Sequence, residues 1–277
     1  MTASLNHPHF LEHPLPILHE KSQYLIARGR VYFDPYDASE KLTGEIDLGN
    51  CPGVAITIAT EKSEHFSSQG GLREKDGAWV VQVDRTGTLN CDNFSPQNAA
   101  LWLSGTHEVK TQAATPVSGE ERKVLPGRQY QLGATAANPL GVRNVTDVTV
   151  ALKTGGTALV AGTDYNVDLG TGRVQILAGG AIATATDVLF GYTPVAGTFD
   201  AVKSGASAEL TGALRIVSDN AAGGDRDWYL PKVTLTPNGD LPLIAEGTDV
   251  VAMEFGLEAL KPANGEAIYC NGRPVAV

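Results

Sequence analysis

Val54-Ala55-Ile56-Thr57-Ile58-Ala59-Thr60-Glu61-Lys62-Ser63-Glu64-His65-Phe66 and Trp79-Val80-Val81-Gln82-Val83-Asp84-Arg85-Thr86-Gly87-Thr88-Leu89-Asn90-Cys91-Asp92 are the two stretches on which the fold turns. Both alternate apolar and polar residues with the period of two that sends successive side chains to opposite faces of a strand. In the first, Val54, Ile56 and Ile58 share one face; Ala55, Thr57, Ala59, Glu61, Ser63 and His65 share the other. In the second, Trp79, Val81, Val83, Leu89 and Cys91 are expected on one face, opposite Gln82, Asp84, Thr86, Thr88, Asn90 and Asp92. Both runs are long for strands of globular proteins. The joining residues 67–77 are charged and glycine-rich, which predicts an extended hairpin with a large, mobile loop.

The same alternation returns late in the chain. In 209–217, Leu210, Leu214 and Ile216 oppose Glu209, Thr211, Ala213 and Arg215. Residues 229–236 form a further strand, closed by the turn signal Pro237-Asn238-Gly239-Asp240. In 250–259, Val251, Met253, Phe255 and Leu257 alternate with Ala252, Glu254, Gly256 and Glu258. One helix is predicted after the long hairpin. Ser95 caps it, Pro96 suits its first position, Gly105 suits its end, and its body holds Ala99, Ala100, Leu101, Trp102 and Leu103.

Residues 124–198 differ in character. They are rich in Gly, Ala, Thr and Val, with short strands at 145–153, 164–168, 173–177 and 187–193. Arg128, Arg143, Lys153 and Arg173 are balanced by Asp147, Asp164, Asp168 and Asp187, so the whole net charge of −10 lies outside this stretch. The expected organisation is an extended Pro/His-rich arm over 1–22, a discontinuous β domain of 23–123 and 199–277, and an inserted β subdomain of 124–198. The fold class is mainly β, a sandwich or barrel with one flanking helix and a small inserted all-β module.

Composition narrows the function. With 21 bases against 31 acids, the 277-residue chain lacks the basic face that a nucleic-acid binder uses to displace counterions. No run approaches the roughly 18 apolar residues of a membrane span, so membrane insertion is not expected. The first residues show no basic-then-apolar export pattern. Cys51, Cys91 and Cys270 are too few for a disulfide framework and read as buried thiols of a reducing cytoplasm. No P-loop, G-x-S-x-G, H-E-x-x-H or C-x-x-C motif occurs. Gly170-Thr171-Gly172 reads as a turn between strands. His7, His9, His13 and His19 are interleaved with Pro8, Pro14 and Pro16, which favour an extended arm over a metal-binding helix. Asp219, Asp225 and Asp227 lie in a Gly-rich loop without Ca²⁺-loop spacing. Asn144-Val145-Thr146 has the form of a glycosylation sequon, which carries no weight without export. No catalytic residue, metal site or cofactor is therefore expected.

The strand faces expected to meet solvent carry the best clue. Their acids are Glu61, Asp84, Asp92, Glu209, Glu254 and Glu258, set among Ser63, Thr86, Thr88 and Asn90, with Arg215 as the base. Ordinary exposed sheets use Lys and Arg to resist edge pairing. A face short of them reads as a smooth anionic wall.

A resemblance joins this reading. Gly29-Arg30-Val31-Tyr32-Phe33-Asp34, then Gly49-Asn50-Cys51-Pro52-Gly53 leading into the long hairpin, then the 95–103 helix, begin an ordered pattern. Leu210-Thr211-Gly212-Ala213-Leu214-Arg215 through Asp219-Asn220, Tyr229-Leu230-Pro231-Lys232-Val233 and the closing strand complete it. Over about 23–120 and 200–270 the chain resembles the tail tube (major tail) proteins of long-tailed, non-contractile bacteriophages. Gly162-Thr163-Asp164-Tyr165-Asn166-Val167-Asp168 and Gly172-Arg173-Val174 are similar to the small β modules inserted in such proteins. The resemblance implies a structural, non-enzymatic virion protein, assembled in the host bacterial cytoplasm. Homohexameric rings would stack head to tail into a hollow tube, with tape measure, tail terminator and distal tail proteins as further partners.

DNA would pass without specific binding along a lumen formed by Glu61, Ser63, Asp84, Thr86, Thr88, Asn90, Asp92, Glu209, Glu254 and Glu258. The loop residues Gln69, Gly70, Gly71, Arg73, Glu74, Lys75 and Asp76 would order against the next ring, and the insert would project outward. Two other classes stand beside this. A secreted or virion-surface β-sandwich binding glycans is weakened by an aromatic content of 6%. A glycosidase with paired carboxylates is permitted by the many acids, but no spacing selects a pair.

Overall fold

The computed structural model describes residues 24–205 and 210–274. The predicted arm of 1–22 and the candidate Glu209 lie outside them. The chain forms β1 (Gly29–Pro35), β2 (Ile46–Asp47), β3 (Gly53–Ser67), β4 (Glu74–Cys91), helix α1 (Pro96–Trp102), β5 (Thr106–Gln112), β6 (Val117–Val124), β7 (Gln129–Gln131) and β8 (Val145–Leu152). It continues with β9 (Tyr165–Asp168), β10 (Arg173–Ile176), β11 (Thr186–Pro194), β12 (Gly197–Lys203), β13 (Leu210–Ser218), β14 (Arg226–Asn238), β15 (Met253–Ala259) and β16 (Tyr269–Gly272). The protein is mainly β, with several antiparallel sheets and, among the described residues, a single helix, consistent with a β-sandwich. Its described residues divide into two compact units, one of 24–106 with 202–205 and 210–274, and one of His107–Ala201. The chain passes between them along β5 and β12, which pair with each other.

The first unit is built on one eight-stranded sheet of order β2-β1-β13-β14-β15-β4-β3, with β16 also paired to β14. Alternation decides which face is dry. Val31 and Phe33 of β1, Leu214 of β13, Leu230, Val233 and Leu235 of β14, Met253, Phe255 and Leu257 of β15, and Leu89 and Cys91 of β4 are all buried in one cluster. Helix α1 adds Leu101 to this cluster, with Trp102 packed against it, and the Trp102 indole N–H donates to the Glu254 carbonyl at 3.2 Å. The helix starts as its sequence dictates, with the Ser95 hydroxyl accepting from the Asn98 amide and Pro96 in the first turn. Its end differs from expectation. Ser104, not Gly105, takes the left-handed conformation (φ 47°). Gly105 is needed for close approach instead, because a side chain there would run into the carbonyl of Lys203.

The late strands differ in extent from their sequence reading. β15 begins at Met253, so Val251 lies before it, and β14 runs from Arg226 to Asn238.

The second unit pairs β6-β11-β8 in one three-stranded sheet and β7-β10-β9 in another. Val124, Leu132, Val150, Val174, Ile176, Val188 and Phe190 form its separate core. One polar cluster sits at its margin. Glu120 accepts from the Tyr192 hydroxyl at 2.7 Å, the Arg122 guanidinium at 2.7 Å and the Gly133 amide at 2.9 Å. Burial pushes the Glu120 carboxyl up, but these three donors outweigh it and hold the group below the usual glutamate range. A carboxyl held low in the folded state stabilises above its unfolded pKa and loses that contribution as pH falls through the folded value. Glu120→Gln is therefore expected to lower the neutral-pH melting temperature of this unit and to flatten its acid limb. Differential scanning calorimetry between pH 3 and 7 checks this; an unchanged acid limb counts against it.

Candidate functional site

The polar face of the large sheet is assembled by cross-strand register. Thr57 pairs with Thr86, Ala59 with Asp84 and Glu61 with Gln82 across β3 and β4. Glu254 pairs with Asn90, Gly256 with Thr88 and Glu258 with Thr86 across β15 and β4. Directly opposed residues of antiparallel strands share a face. Glu61, Ser63, Asp84, Thr86, Thr88, Asn90, Glu254 and Glu258 therefore stand on one continuous surface, opposite the buried cluster. The pairing carries it on through Thr234, Thr236 and Asn238 of β14. Asn238 donates to the Glu254 carboxylate, and Gln82 donates to that of Asp84. Asp92 lies just past the end of β4, where its backbone amide donates to the Asn50 carbonyl and its carboxylate accepts from the Asn50 side chain.

At the far side of the sheet the same face includes Arg30, Tyr32 and Asp34 of β1 and Asp47 of β2, through the pairs Tyr32–Arg215 and Tyr32–Asp47. Arg215 is held by Glu45 at 2.5 Å and lies over the Tyr229 ring at 4.6 Å. The face thus carries Arg30 as well as the expected Arg215. The alternation of Arg30, Tyr32 and Asp34 with Val31 and Phe33 is the signal that places them.

Beyond the Thr57–Thr86 pair the β3–β4 hairpin runs past β15 and continues as a two-stranded arm exposed on both faces. Its turn spans 68–73; Glu74, Lys75, Asp76 and Gly77 belong to β4. The large loop of the sequence reading is thus shortened, because cross-strand contacts extend the ladder. Lys75 pairs with Glu64, and His65 meets Asp76 at 2.5 Å. Arg73 lies 5.4 Å from the centre of the Phe66 ring. Gln69, Gly70 and Gly71 are at the exposed tip.

The register slips by one residue between Glu61 and Lys62, a β-bulge around Val80 and Val81. Val83 opposes Thr60, but Trp79 opposes Ser63, three residues along β3. Trp79 therefore lies on the polar face beside Ser63 and Glu61, not with Val83 as strict alternation predicted. An inserted residue inverts the side chains beyond it, here as far as a second register shift between His65 and Phe66. The opposite face of the arm carries Ile58, Thr60 and Lys62 with Val83 and Arg85. Lys62 and Arg85 thus stand opposite Glu61 and Asp84, with Glu64, bridged by Lys75, on the side of Lys62. The arm is also apolar, with Leu72 75% exposed and Ile58, Trp79 and Val81 each near 60%.

The three thiols are not alike. Cys91 is buried, Cys51 half-buried and Cys270 exposed on β16, the last against the expectation of burial. β16 lies at a margin of the sheet, where its residues are all exposed. The aspartates of 219–227 hold the chain together locally. Arg273 bridges Asp225 at 3.2 Å and Asp227 at 2.9 Å, and this guanidinium, with the Ser218 amide, keeps the Asp227 carboxyl below its usual range.

A family model described as "Protein of unknown function UCP028589" matches residues 24–265. No curated protein matches the chain.

Proposed function

We propose, from the premise that the chain belongs to the UCP028589 family, that it is a self-assembling structural protein whose copies join into rings and a hollow tube of the phage-tail type. The observation that carries this reading is the arm. A lone subunit that holds Ile58, Leu72, Trp79 and Val81 in water gains nothing from doing so, whereas a second copy can cover them. A further support is the sheet edge. Among the described residues, the 15-residue β3 pairs only with β4, which leaves its other side open to a neighbouring strand. A head-to-tail contact that closes makes a ring, and one that does not close makes a filament.

In such a tube the Glu61–Asp84–Glu254 face would line the bore. The carboxylates repel phosphate, over a screening distance of about 8 Å at physiological salt. DNA would then pass without adhering. Tail completion proteins would be partners at the two ends, and the virion the place where the protein works.

Negative-stain microscopy of the purified chain at increasing concentration tests the assembly, with rings or stacked tubes as the expected result. Particles that remain single at every concentration, with and without a preformed tail tip complex, would remove this reading.

A further inference from the structure

We propose that Cys51 and Cys91 form a reversible thiol–disulfide site that a peroxide closes, stapling the open end of the β3–β4 hairpin.

Two strands bring these residues together. Gly53 pairs with Asn90, and the Asp92 amide donates to the Asn50 carbonyl at 3.1 Å. Cys51 and Cys91 are held between these two cross-strand anchors. Facing positions on antiparallel strands have Cα atoms about 4.5–5.5 Å apart, within the span a disulfide requires. The two thiols are close enough that each shifts the ionisation of the other.

The surroundings divide the two roles. Cys51 lines an apolar groove of about 790 Å³ together with Leu25, Val54, Ile56 and Trp228, so a small oxidant can reach it. Cys91 lies behind it, accepting from the Asn98 side-chain amide at 3.3 Å and lying 3.0 Å from the Leu48 carbonyl. Their coupling lets one sulfur ionise while the other keeps its proton. It pulls the Cys91 thiol down to about 7 and, with burial, pushes Cys51 up. The first charge therefore rests on the Cys91 sulfur, which can take the proton from Cys51 as that thiol reacts.

The reaction balances with hydrogen peroxide as oxidant. The Cys51 sulfur attacks one peroxide oxygen as its proton passes to the Cys91 thiolate, the O–O bond breaks, and a sulfenic acid and hydroxide result; the hydroxide takes up the proton that Cys91 had released and becomes water. The Cys91 sulfur then attacks the sulfenic sulfur, the S–O bond breaks, and the second water leaves as the S–S bond forms. Two electrons pass from the sulfurs to the peroxide oxygens. A dithiol reductant reverses the step by exchange.

The test uses full-length Cys270→Ser protein, which lacks the exposed competitor, treated with hydrogen peroxide, alkylated and mapped by peptide mass spectrometry. The expected result is joint loss of two thiols, a cross-linked peptide joining Cys51 to Cys91, and a rise in melting temperature that dithiothreitol reverses. The companion Cys51→Ser/Cys270→Ser chain should show neither the cross-link nor the rise. Two free thiols remaining after an exposure that oxidises Cys270 in the unaltered chain would overturn the proposal. So would oxidation of Cys51 that stops at the sulfinic acid or forms only intermolecular dimers.

Discussion

Replacing residues 61–82 with a two-residue Asn-Gly turn is expected to leave a folded subunit that no longer assembles. The design follows the ladder. Thr60 and Val83 are directly opposed, so a type I′ turn closes the hairpin at that point without altering the pairing below it. No residue of the main core lies beyond Ile56 on β3 or before Leu89 on β4, so the removed segment contributes nothing to that core. The effect on assembly should be near total, for energetic reasons. Ile58, Leu72, Trp79, Val80 and Val81 are each more than half exposed, and covering them would contribute about 1–2 kcal/mol apiece. Association of two proteins costs roughly 4–15 kcal/mol in lost freedom. A single arm contact is then close to balance, and removing four of its five apolar residues tips it against association. Sedimentation velocity at matched concentrations measures this. Rings or tubes from the shortened chain, at the same threshold as the full chain, would show that the arm is not the assembling surface.

Phe33→Ala is expected to cost the sheet unit about 3–5 kcal/mol, the range for a fully buried aromatic. Phe33 has no exposed surface and sits mid-strand between Ile46 of β2 and Leu214 of β13. Its ring also covers Gly212, where an added Cβ would lie 2.7 Å from the ring edge. Alanine at 33 therefore opens a cavity that a rigid ladder on both sides cannot close. Such a loss is a large part of the roughly 5–15 kcal/mol that holds a domain folded. Urea unfolding should show the early shift in one transition. The transition of the His107–Ala201 unit should stay where it is, since that unit has its own core. A shift below about 1 kcal/mol would mean that the site relaxes far more than its packing implies.

The sheet face and the arm were legible to different depths. Glu61, Asp84, Thr86 and Thr88 could be placed on one face from alternation alone, since each strand repeats every two residues and the apolar partners Val54, Ile56 and Leu89 mark the dry side. Glu254 and Glu258 followed by the same rule. Trp79 could not, because an extra residue in one strand is invisible until its partner is known. The shortened turn has the same origin: Lys75–Glu64 and His65–Asp76 are contacts across strands, which local composition does not report.

By itself the amino-acid order determined strand character, the Ser95-Pro96 helix start, the acidic balance and the change in composition of the inserted stretch, because each depends on near neighbours along the chain. Tertiary structure alone decided which strands lie side by side. β1 pairs with β13, Gly29 facing Ser218, across most of the chain's length, and that pairing brings Arg30 and Tyr32 onto the acidic face. It also decided that Cys51 meets Cys91 and that the arm outruns its core. Register between distant segments is set by the packing of all side chains at once, and no local period encodes it.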